Sequence, residues 1–370
     1  MAGAIAFLLA LHAAGAGFQG DPLSVVRDTA PGDRLWDVAD RRAPVIGVTL
    51  LAWLVAFGLA MALDRERAGR EAARLLALSL VYLPLLCLLG AALDPSVGAE
   101  RLLLMLGSPV LAALTLAALG GYRALAFACG ATVVAYSIDL VAGSPLTQLS
   151  LVGPNPAAGH RYYGIGNELE ACLTVLVLVG IGAMARRPAA FLVGATIFSF
   201  VFAYGRYGAD VGAAIALPLG AAVAAALLAE RRDLALLAFA LPIPALALLA
   251  AADLLSGANA HLTSTVLDAD DGGDVLAVLG DRLREMAESF GRPVLLVGLP
   301  IVIAAAAIAW LRRDRLDAWL RPVPAMRAAM IGALLATVVG TLANDSGALL
   351  LEIGAAYLLV FAGFAWAENG

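Results

Sequence analysis

Long apolar runs, separated by short breaks rich in charged residues, glycine or proline, follow one another along almost the whole chain. About 20 consecutive apolar residues span a bilayer as a helix, and twelve runs approach or reach that length. Their predicted bounds are 3–18, 45–63, 75–93, 102–119, 124–143, 168–185, 190–204, 210–229, 234–252, 293–311, 326–342 and 347–366. The pattern predicts an all-α, polytopic membrane protein in which residues 1–370 form a single transmembrane domain.

The composition agrees with a lipid environment. Of the 370 residues 62% are hydrophobic and 14% are charged, whereas soluble domains carry about 25% charged residues. One soluble domain of this size cannot bury so much apolar surface, which excludes an ordinary water-soluble enzyme. The net charge of −5, without any basic run, gives no indication of nucleic-acid binding.

The distribution of arginine predicts the orientation, because cytoplasmic loops of membrane proteins are enriched in basic residues. One set of short loops holds Arg65, Arg67, Arg70, Arg74, Arg123, Arg186, Arg187, Arg231, Arg232, Arg312, Arg313, Arg315, Arg321 and Arg327. The opposite short loops hold Arg101, Arg161 and Arg206. The first set is therefore predicted to be cytoplasmic, which places both termini in the cytoplasm.

The opposite, extracytoplasmic side carries segments with more polar chemistry than a connector needs. They are 19–44, 144–167, 205–209, 253–292 and the turn at 344–347. The loop 253–292 has an apolar face at helical spacing, formed by Val275, Leu279, Leu283, Met286 and Phe290. We expect an amphipathic helix there, lying on the outer interface or packed on the end of the bundle; either position would cover a membrane-level cavity.

The segment 153–168 contains four glycines, two prolines and a cluster of polar and aromatic side chains next to a predicted helix. Irregular backbone near the hydrocarbon boundary persists only where protein buries it or where it lines a wet cavity. Arg161 can bind a phosphate through its planar guanidinium group, and Glu168 is a candidate proton acceptor. Further candidates for substrate binding are His160, Tyr162, Tyr163 and Asn167. The alternative for Asn167 and Glu168 is a helix N-cap.

Two more turns on the same side repeat this chemistry. In the segment 204–210, Arg206 and Tyr207 are candidates for substrate binding and Asp210 for catalysis. In the turn 344–347, Asn344 is a candidate for binding and Asp345 for catalysis. The alternatives are a snorkelling interface anchor for Arg206 and helix caps for the other polar residues.

Three of the predicted helices begin on this side with an acidic or amide residue, and their positive dipole ends would suit an anion. His261, in the long outer loop, titrates near neutral pH and is a candidate base; a solvent-exposed or capping histidine is the alternative. The sequence contains no predicted metal site and no cofactor motif. A divalent cation held by the same carboxylates is a second interpretation of the acidic groups.

The predicted architecture resembles the bacterial O-antigen ligase and polymerase group of membrane glycosyltransferases. The resemblance spans most of the chain: twelve helices, both ends inside, outer arginines, and a long outer loop with His261 and an amphipathic helix. It implies a place in the bacterial inner membrane and in cell-envelope biogenesis. It also implies that Arg161 and Arg206 hold the diphosphate of a polyprenyl-linked glycan, and that His261 helps to activate the acceptor hydroxyl.

Two functions are therefore expected. The first is a transferase that acts at the extracytoplasmic face on a lipid-linked phosphate or diphosphate, with membrane lipids as its other partners. The second is a proton-coupled secondary transporter, for which Glu352 inside the last apolar run is a candidate proton carrier. Transporters bind near the midplane between related halves, whereas the polar breaks here lie at one face, which favours the transferase.

Overall fold

The computed structural model describes residues 32–154, 163–231, 233–234, 280, 284, 286–291, 298–344 and 346–370. The longer elements in these ranges are α1 (Gly32–Leu63), α2 (Ala68–Leu93), α3 (Val97–Leu119), α4 (Gly121–Val141), α5 (Asn167–Gly182), α6 (Ala189–Ala203), α7 (Val211–Leu228), α8 (Gly298–Leu311), α9 (Arg313–Leu320), α10 (Pro324–Ala343) and α11 (Gly347–Asn369). These ranges contain no strand, so the predicted all-α class is confirmed for the described part of the chain.

Seven of these helices are long and apolar enough to cross a membrane: α1, α2, α3, α4, α7, α10 and α11. The apolar helices α6 and α8 are shorter. Helices of this kind indicate a membrane-embedded protein. The predicted helix at 3–18 and nearly all of the one at 234–252 lie outside the described residues.

Two charged stretches are helical where the hydrophobic pattern predicts none. The first helix starts at Gly32 rather than at 45, and inside this extension Arg41 pairs with Asp37 one turn away at 3.2 Å. The second stretch is α9, which lies between two predicted helices. Its Leu320 is buried and its Trp319 half-buried. The helix α9 is therefore amphipathic, although its charged residues leave no apolar run in the sequence.

A proline inside α2 has its lost hydrogen bond replaced by neighbouring helices. Pro84 cannot donate to the carbonyl of Leu80 four residues earlier. The hydroxyl of Tyr357, on α11, donates to that carbonyl at 3.0 Å. From α4, Thr132 and Tyr136 donate to two further carbonyls of the same turn, at 2.9 and 2.8 Å. The irregular turn of α2 therefore joins three helices.

The same arrangement recurs in α3, where Leu103–Gly107 forms a π-helical turn ahead of Pro109. Pro109 leaves the carbonyl of Met105 without its usual helical donor. The indole Nε1 of Trp53, on α1, donates to this carbonyl at 3.0 Å. Lipid supplies no donors, so each of these side chains satisfies a backbone group that the bilayer would leave unpaired.

Small residues allow α5, α7 and α10 to pack at backbone contact. A Cβ atom at Gly220 of α7 would lie 2.6 Å from the carbonyl oxygen of Gly332 and 2.9 Å from Cβ of Ala336, both on α10. A Cβ atom at Gly182 of α5 would collide with Ala329. Close approach at small residues is typical of helix packing in membranes, where burial from water gives no driving force between helices.

The bundle has two distinct ends. The arginine-rich end comprises the turns at 64–67, 120, 183–188 and 312–323, and the loop end comprises 94–96, 142–154, 163–166, 204–210, 344 and 346. At the arginine-rich end, Arg74 pairs with Glu368 at 2.6 Å, and Asn369 donates to the hydroxyl of Tyr122 and the carbonyl of Trp319 at 2.9 and 2.8 Å. Helix ends that the sequence predicts on one side are therefore in contact.

Replacing Tyr357 by Phe should lower the free energy of unfolding in detergent by about 1 kcal/mol, because the Leu80 carbonyl loses its donor. The matched background is Pro84→Ala, in which residue 84 regains an N–H for that carbonyl. The cost of Tyr357→Phe should shrink in this background. An equal cost in both backgrounds would show that Tyr357 does not act through the proline.

Candidate functional site

A buried carboxylate organises the first loop of the loop end. Asp139, near the end of α4, accepts hydrogen bonds from the backbone N–H of Leu146 at 3.1 Å and of Thr147 at 2.8 Å, and from the Thr147 hydroxyl at 2.6 Å. The turn that it closes places Ser144 in the left-handed region, with a φ of 65°. The Ser144 hydroxyl accepts a hydrogen bond from Gly164 at 3.0 Å, which fixes the next loop.

Two glycines bring the segment 163–166 against the 204–210 loop. The backbone N–H of Ile165 donates to the carbonyl of Gly208 at 2.9 Å. Gly164 has a φ of 84°, and a Cβ atom there would collide with the same carbonyl. A Cβ atom at Gly208 would in turn collide with the Phe202 backbone. A side chain at Gly164 would separate the loops, and one at Gly208 would disturb the turn that follows α6.

A partly exposed ion pair joins α1 to the start of α5. Arg42, on α1, places Nη1 3.4 Å from Oε1 of Glu168 and donates from Nη2 to the carbonyl of Gly153. The side chains are 22% and 27% exposed, respectively. Glu168 occupies the first turn of α5, where the helix dipole favours a carboxylate. Arg42 Nε is buried and has no hydrogen-bond partner in the described part of the chain, so the Nη groups are the ones that a ligand can reach.

The adjacent arginine makes a different kind of pair. Arg41 places Nε 3.3 Å from Oε2 of Glu100, and the two side chains are only 9% and 2% exposed. Asp37 is a second acidic neighbour at 3.2 Å. This pair is closed to solvent and joins α1 to the start of α3. Arg41 is structural, whereas Arg42 is accessible from the loop end.

A second buried carboxylate lies deeper, between α5, α7 and α10. Glu170 is 1% exposed, and its Oε2 accepts a hydrogen bond from Asn344 Nδ2 at 2.9 Å. Asn344 also donates to the carbonyl of Gly340 at 3.1 Å, and a Cβ atom at Gly212 would collide with its amide. In this structure Asn344, predicted to bind substrate, faces Glu170.

The predicted catalytic residue Asp210 occupies the N-cap of α7. It is 2% exposed, and its Oδ1 accepts a hydrogen bond from the backbone N–H of Ala213 at 3.1 Å. This contact is the helix-cap alternative for Asp210. The first turn of α5 contains the predicted residues Asn167 and Glu168, and both are half-buried, as is Tyr163.

Arg206 is exposed beside an aromatic cluster at the end of α6. The ring centroids of Phe200 and Tyr204 are 5.0 Å apart, and those of Tyr204 and Tyr207 are 5.1 Å apart. Burial raises the pKa of the Tyr207 phenol and Tyr204 adds to the effect, so Tyr207 stays neutral. Phe200 is 38% exposed. Aromatic rings next to an exposed arginine are typical of a membrane interface, which favours the anchor interpretation of Arg206.

The described part of the loop 253–292 packs on the bundle. Ser289 is buried, and its hydroxyl donates to Met286 O at 2.6 Å and accepts from the backbone N–H of Ala348 at 3.1 Å. Arg284 and Glu288 form an exposed pair at 2.9 Å. This segment contacts the first turn of α11.

Several predicted site residues, His160, Arg161, Tyr162, His261 and Asp345, lie outside the described residues. The segment 155–162 is nevertheless connected to the site at both ends. It follows Gly153, whose carbonyl accepts from Arg42, and precedes Gly164, which is fixed by Ser144. Among the described residues, no group of three or more His, Cys, Asp or Glu side chains could hold a metal ion.

Glu352 is a separate feature of α11. A Cβ atom at Gly298, the first residue of α8, would collide with its carboxyl group. The Oε1 atom of Glu352 is buried and has no hydrogen-bond partner within the ranges that the structure describes. A carboxyl group of this kind inside an apolar helix is costly, which marks it as a candidate functional group.

Sequence reasoning missed Arg42, Glu170 and Asp139. Arg42 lies in a stretch that the charge pattern assigns to a loop, so the direction of its side chain could not be predicted. Glu170 offers a clearer signal, because a carboxylate two residues inside an apolar run needs a partner in the protein.

Comparisons with known protein families, with curated proteins and with solved structures give no match for this chain. The resemblance to O-antigen ligases therefore rests on the predicted architecture alone.

Gly164→Ala should separate the two loops and speed hydrogen exchange at the Ile165 amide, because a Cβ atom collides with the carbonyl of Gly208. Gly143→Ala is the control, since Gly143 has a φ of 97° but a Cβ atom there would have no neighbour within 4 Å. The strained dihedral alone costs about 1–2 kcal/mol. Equal stability and equal exchange rates in the two variants would contradict the role of Gly164.

Proposed function

We propose that the protein is a membrane-embedded transferase that acts at the loop end on a polyprenyl phosphate- or diphosphate-linked glycan, or on a similar lipid-linked anionic donor. The observation that carries this proposal is the partly exposed pair of Arg42 and Glu168. It lies where α1 meets the first turn of α5 and the carbonyl of Gly153, and the segment that contains Arg161 lies between Gly153 and Glu168 in the sequence. It combines a phosphate-binding group with a proton acceptor.

The guanidinium group of Arg42 suits a phosphate because it offers several donors in one plane. One of them, Nη1, is 3.4 Å from Glu168, which is a long contact for a charged pair. An arriving phosphate would replace Glu168 as the partner of Arg42. The Glu168 carboxylate would then be free to accept a proton. Substrate binding and activation of the base are thereby coupled in one pair.

The reaction balances as a displacement. The acceptor hydroxyl oxygen forms a bond to the anomeric carbon of the glycan, and the bond between that carbon and the phosphate oxygen breaks. The bonding electrons leave with the polyprenyl diphosphate, whose charge Arg42 stabilises. The hydroxyl proton goes to Glu168. Arg161, Tyr163 and Asn167 shortly precede Glu168 in the sequence and remain candidates for holding the donor.

The other predicted residues have secondary places in this proposal. Arg206 and Tyr207 would anchor the loop end at the interface, where a lipid carrier's headgroup enters. His160, Tyr162, His261 and Asp345 remain candidates for contacting donor or acceptor. Asp210 and Asn344 support the site through a helix cap and through Glu170. The proposal needs no metal or other cofactor, and a divalent cation at Glu168 is its alternative as a phosphate ligand.

The arginine-rich end is proposed to face the cytoplasm, in agreement with the enrichment of basic residues in cytoplasmic loops. The loop end then faces the outside, where glycans on polyprenyl carriers are transferred. This orientation corresponds to the inner membrane of a bacterium.

A second candidate function is proton-coupled secondary transport. The observation that favours it is Glu352, whose carboxyl oxygen is buried in α11 against Gly298 and has no partner in the described chain. A transporter would protonate and deprotonate this group as its cavity changes sides.

Binding of undecaprenyl diphosphate to the purified protein, counted by native mass spectrometry, tests the transferase proposal. Arg42→Ala should weaken binding about 10- to 100-fold, the loss expected for charged hydrogen bonds. Glu168→Gln should retain or strengthen binding, since it removes the competing carboxylate charge, while it abolishes transfer.

Glu100→Gln is the matched control, because it makes the same change in the neighbouring closed pair. It should lower stability and leave binding per folded molecule unchanged. Wild-type affinity in Arg42→Ala, or equal losses of transfer in Glu168→Gln and Glu100→Gln, would refute the site.

Glu352→Gln separates the two functions. The transferase proposal expects unchanged binding of undecaprenyl diphosphate in this variant, because Glu352 lies inside α11 rather than in the Arg42 pair. If Glu352→Gln lost proton-coupled uptake in proteoliposomes while Arg42→Ala kept full uptake, the transporter function would be established instead.

A further inference from the structure

We infer that the corner between α8 and α9, at the arginine-rich end, binds the headgroup of an anionic phospholipid. The corner comprises Trp310, Leu311, Arg312, Arg313 and Arg315. It lies at the opposite end of the bundle from the loop end and does not depend on the proposed transfer reaction.

The helix that leads to this corner is exposed along its length. α8 has no buried residue, and its Ile301, Ile303 and Ile308 are 61–62% exposed. At its end Trp310 and Leu311 are 69% and 76% exposed. Apolar side chains at this exposure offer a surface for acyl chains, and a terminal tryptophan marks the level of the headgroups.

Three arginines follow directly at that level, and all are exposed. The Arg313 guanidinium group lies 5.1 Å from the centroid of the Trp310 ring and donates to the Trp310 carbonyl at 3.3 Å. Within the described residues, neither Arg312 nor Arg315 has an acidic side chain at ion-pair distance. Positive charge therefore accumulates beside the exposed end of α8.

The acidic groups of α9 do not cancel this charge. Asp317 pairs with Arg321 at 3.1 Å and with Arg327 at 2.6 Å. The hydrogen bond from Arg321 lowers the pKa of Asp317, which keeps this carboxylate ionised and paired away from the corner. Asp314 is the remaining acidic residue of the helix, and it lies in the first turn, where the helix dipole favours it. The corner therefore carries three arginines, and Asp314 is the one carboxylate of α9 that is not paired with Arg321 and Arg327.

The corner is held in place by the bundle. Leu320 is buried, and the carbonyl of Trp319 accepts a hydrogen bond from Asn369 at 2.8 Å. The apolar side of α9 is thereby fixed to α11, and its basic side stays at the membrane surface. The arginines are presented on a rigid element rather than on a free loop.

An anionic phospholipid fits both halves of this surface. Its acyl chains would lie along α8, and its phosphate would contact the guanidinium groups of Arg312 and Arg315. A zwitterionic lipid carries an additional cation next to its phosphate, for which the corner offers little acidic compensation. Each arginine near a charged headgroup is worth about fivefold in affinity.

The test uses the full-length protein in a mild detergent, titrated with phosphatidylglycerol or with phosphatidylcholine and followed by native mass spectrometry and by thermal unfolding. The wild type should bind phosphatidylglycerol in preference to phosphatidylcholine and unfold at a higher temperature in its presence. The double variant R312Q/R315Q should lose at least tenfold in phosphatidylglycerol affinity and most of the temperature shift.

The matched control is R186Q/R187Q, which removes two exposed, adjacent arginines at the same end but away from α8. It should keep the wild-type response. Equal losses in the two double variants would overturn the inference, because net charge alone would then explain binding. Equal protection by inorganic phosphate would also overturn it, since the surface along α8 would be unnecessary. If R312Q/R315Q fails to fold, R315Q alone should still lose about fivefold.

Discussion

The structure depends on a single constraint: a backbone carbonyl or N–H group in lipid must find its partner within the protein. The prolines of α2 and α3 make this constraint visible. Each removes a helical donor, and a side chain of another helix replaces it, Tyr357 for Leu80 and Trp53 for Met105. The hydrogen bonds that repair the helices also join them, so the irregular turns are points of attachment.

The two ends of the bundle use charge differently. At the arginine-rich end, Arg74 and Glu368 form a pair at 2.6 Å that closes the contact between α2 and α11. At the loop end, the pair of Arg42 and Glu168 is longer, at 3.4 Å, and both side chains are partly exposed. Arg74 and Glu368 are also partly exposed, at 25% and 17%, so the two pairs differ in length rather than in burial. A ligand can replace the longer contact more readily, which is the reason for placing the proposed chemistry at the loop end.

The hydrophobic pattern predicts the helices well wherever a run is uninterrupted, because length and apolarity suffice to identify a spanning helix. It fails to predict helical stretches that are rich in charged residues. The extension of α1 before residue 45 and the whole of α9 contain charged residues that pair or point to the surface, and neither forms an apolar run. The predicted site is affected in the same way. The glycines and Glu168 are evident in the sequence, but Arg42 reaches them from a distant helix, and only tertiary contact reveals the pair.

Capping residues illustrate a second limit. Asp210 and Asn344 have the residue types of a site, and the structure uses them to cap α7 and to satisfy Glu170. A polar residue at a helix start serves either purpose, and sequence alone does not distinguish them. The loops that contact each other through Gly164 and Gly208 show the opposite case, in which glycine, a residue without a functional side chain, determines how the loops pack.

An experimental structure of the full-length protein with undecaprenyl diphosphate bound would test the proposed site without any assumption about turnover. We expect phosphate oxygens at hydrogen-bond distance, about 3 Å, from the Arg42 guanidinium group, with Glu168 released from that arginine. A phosphate bound elsewhere, with Arg42 and Glu168 still paired, would contradict the proposal.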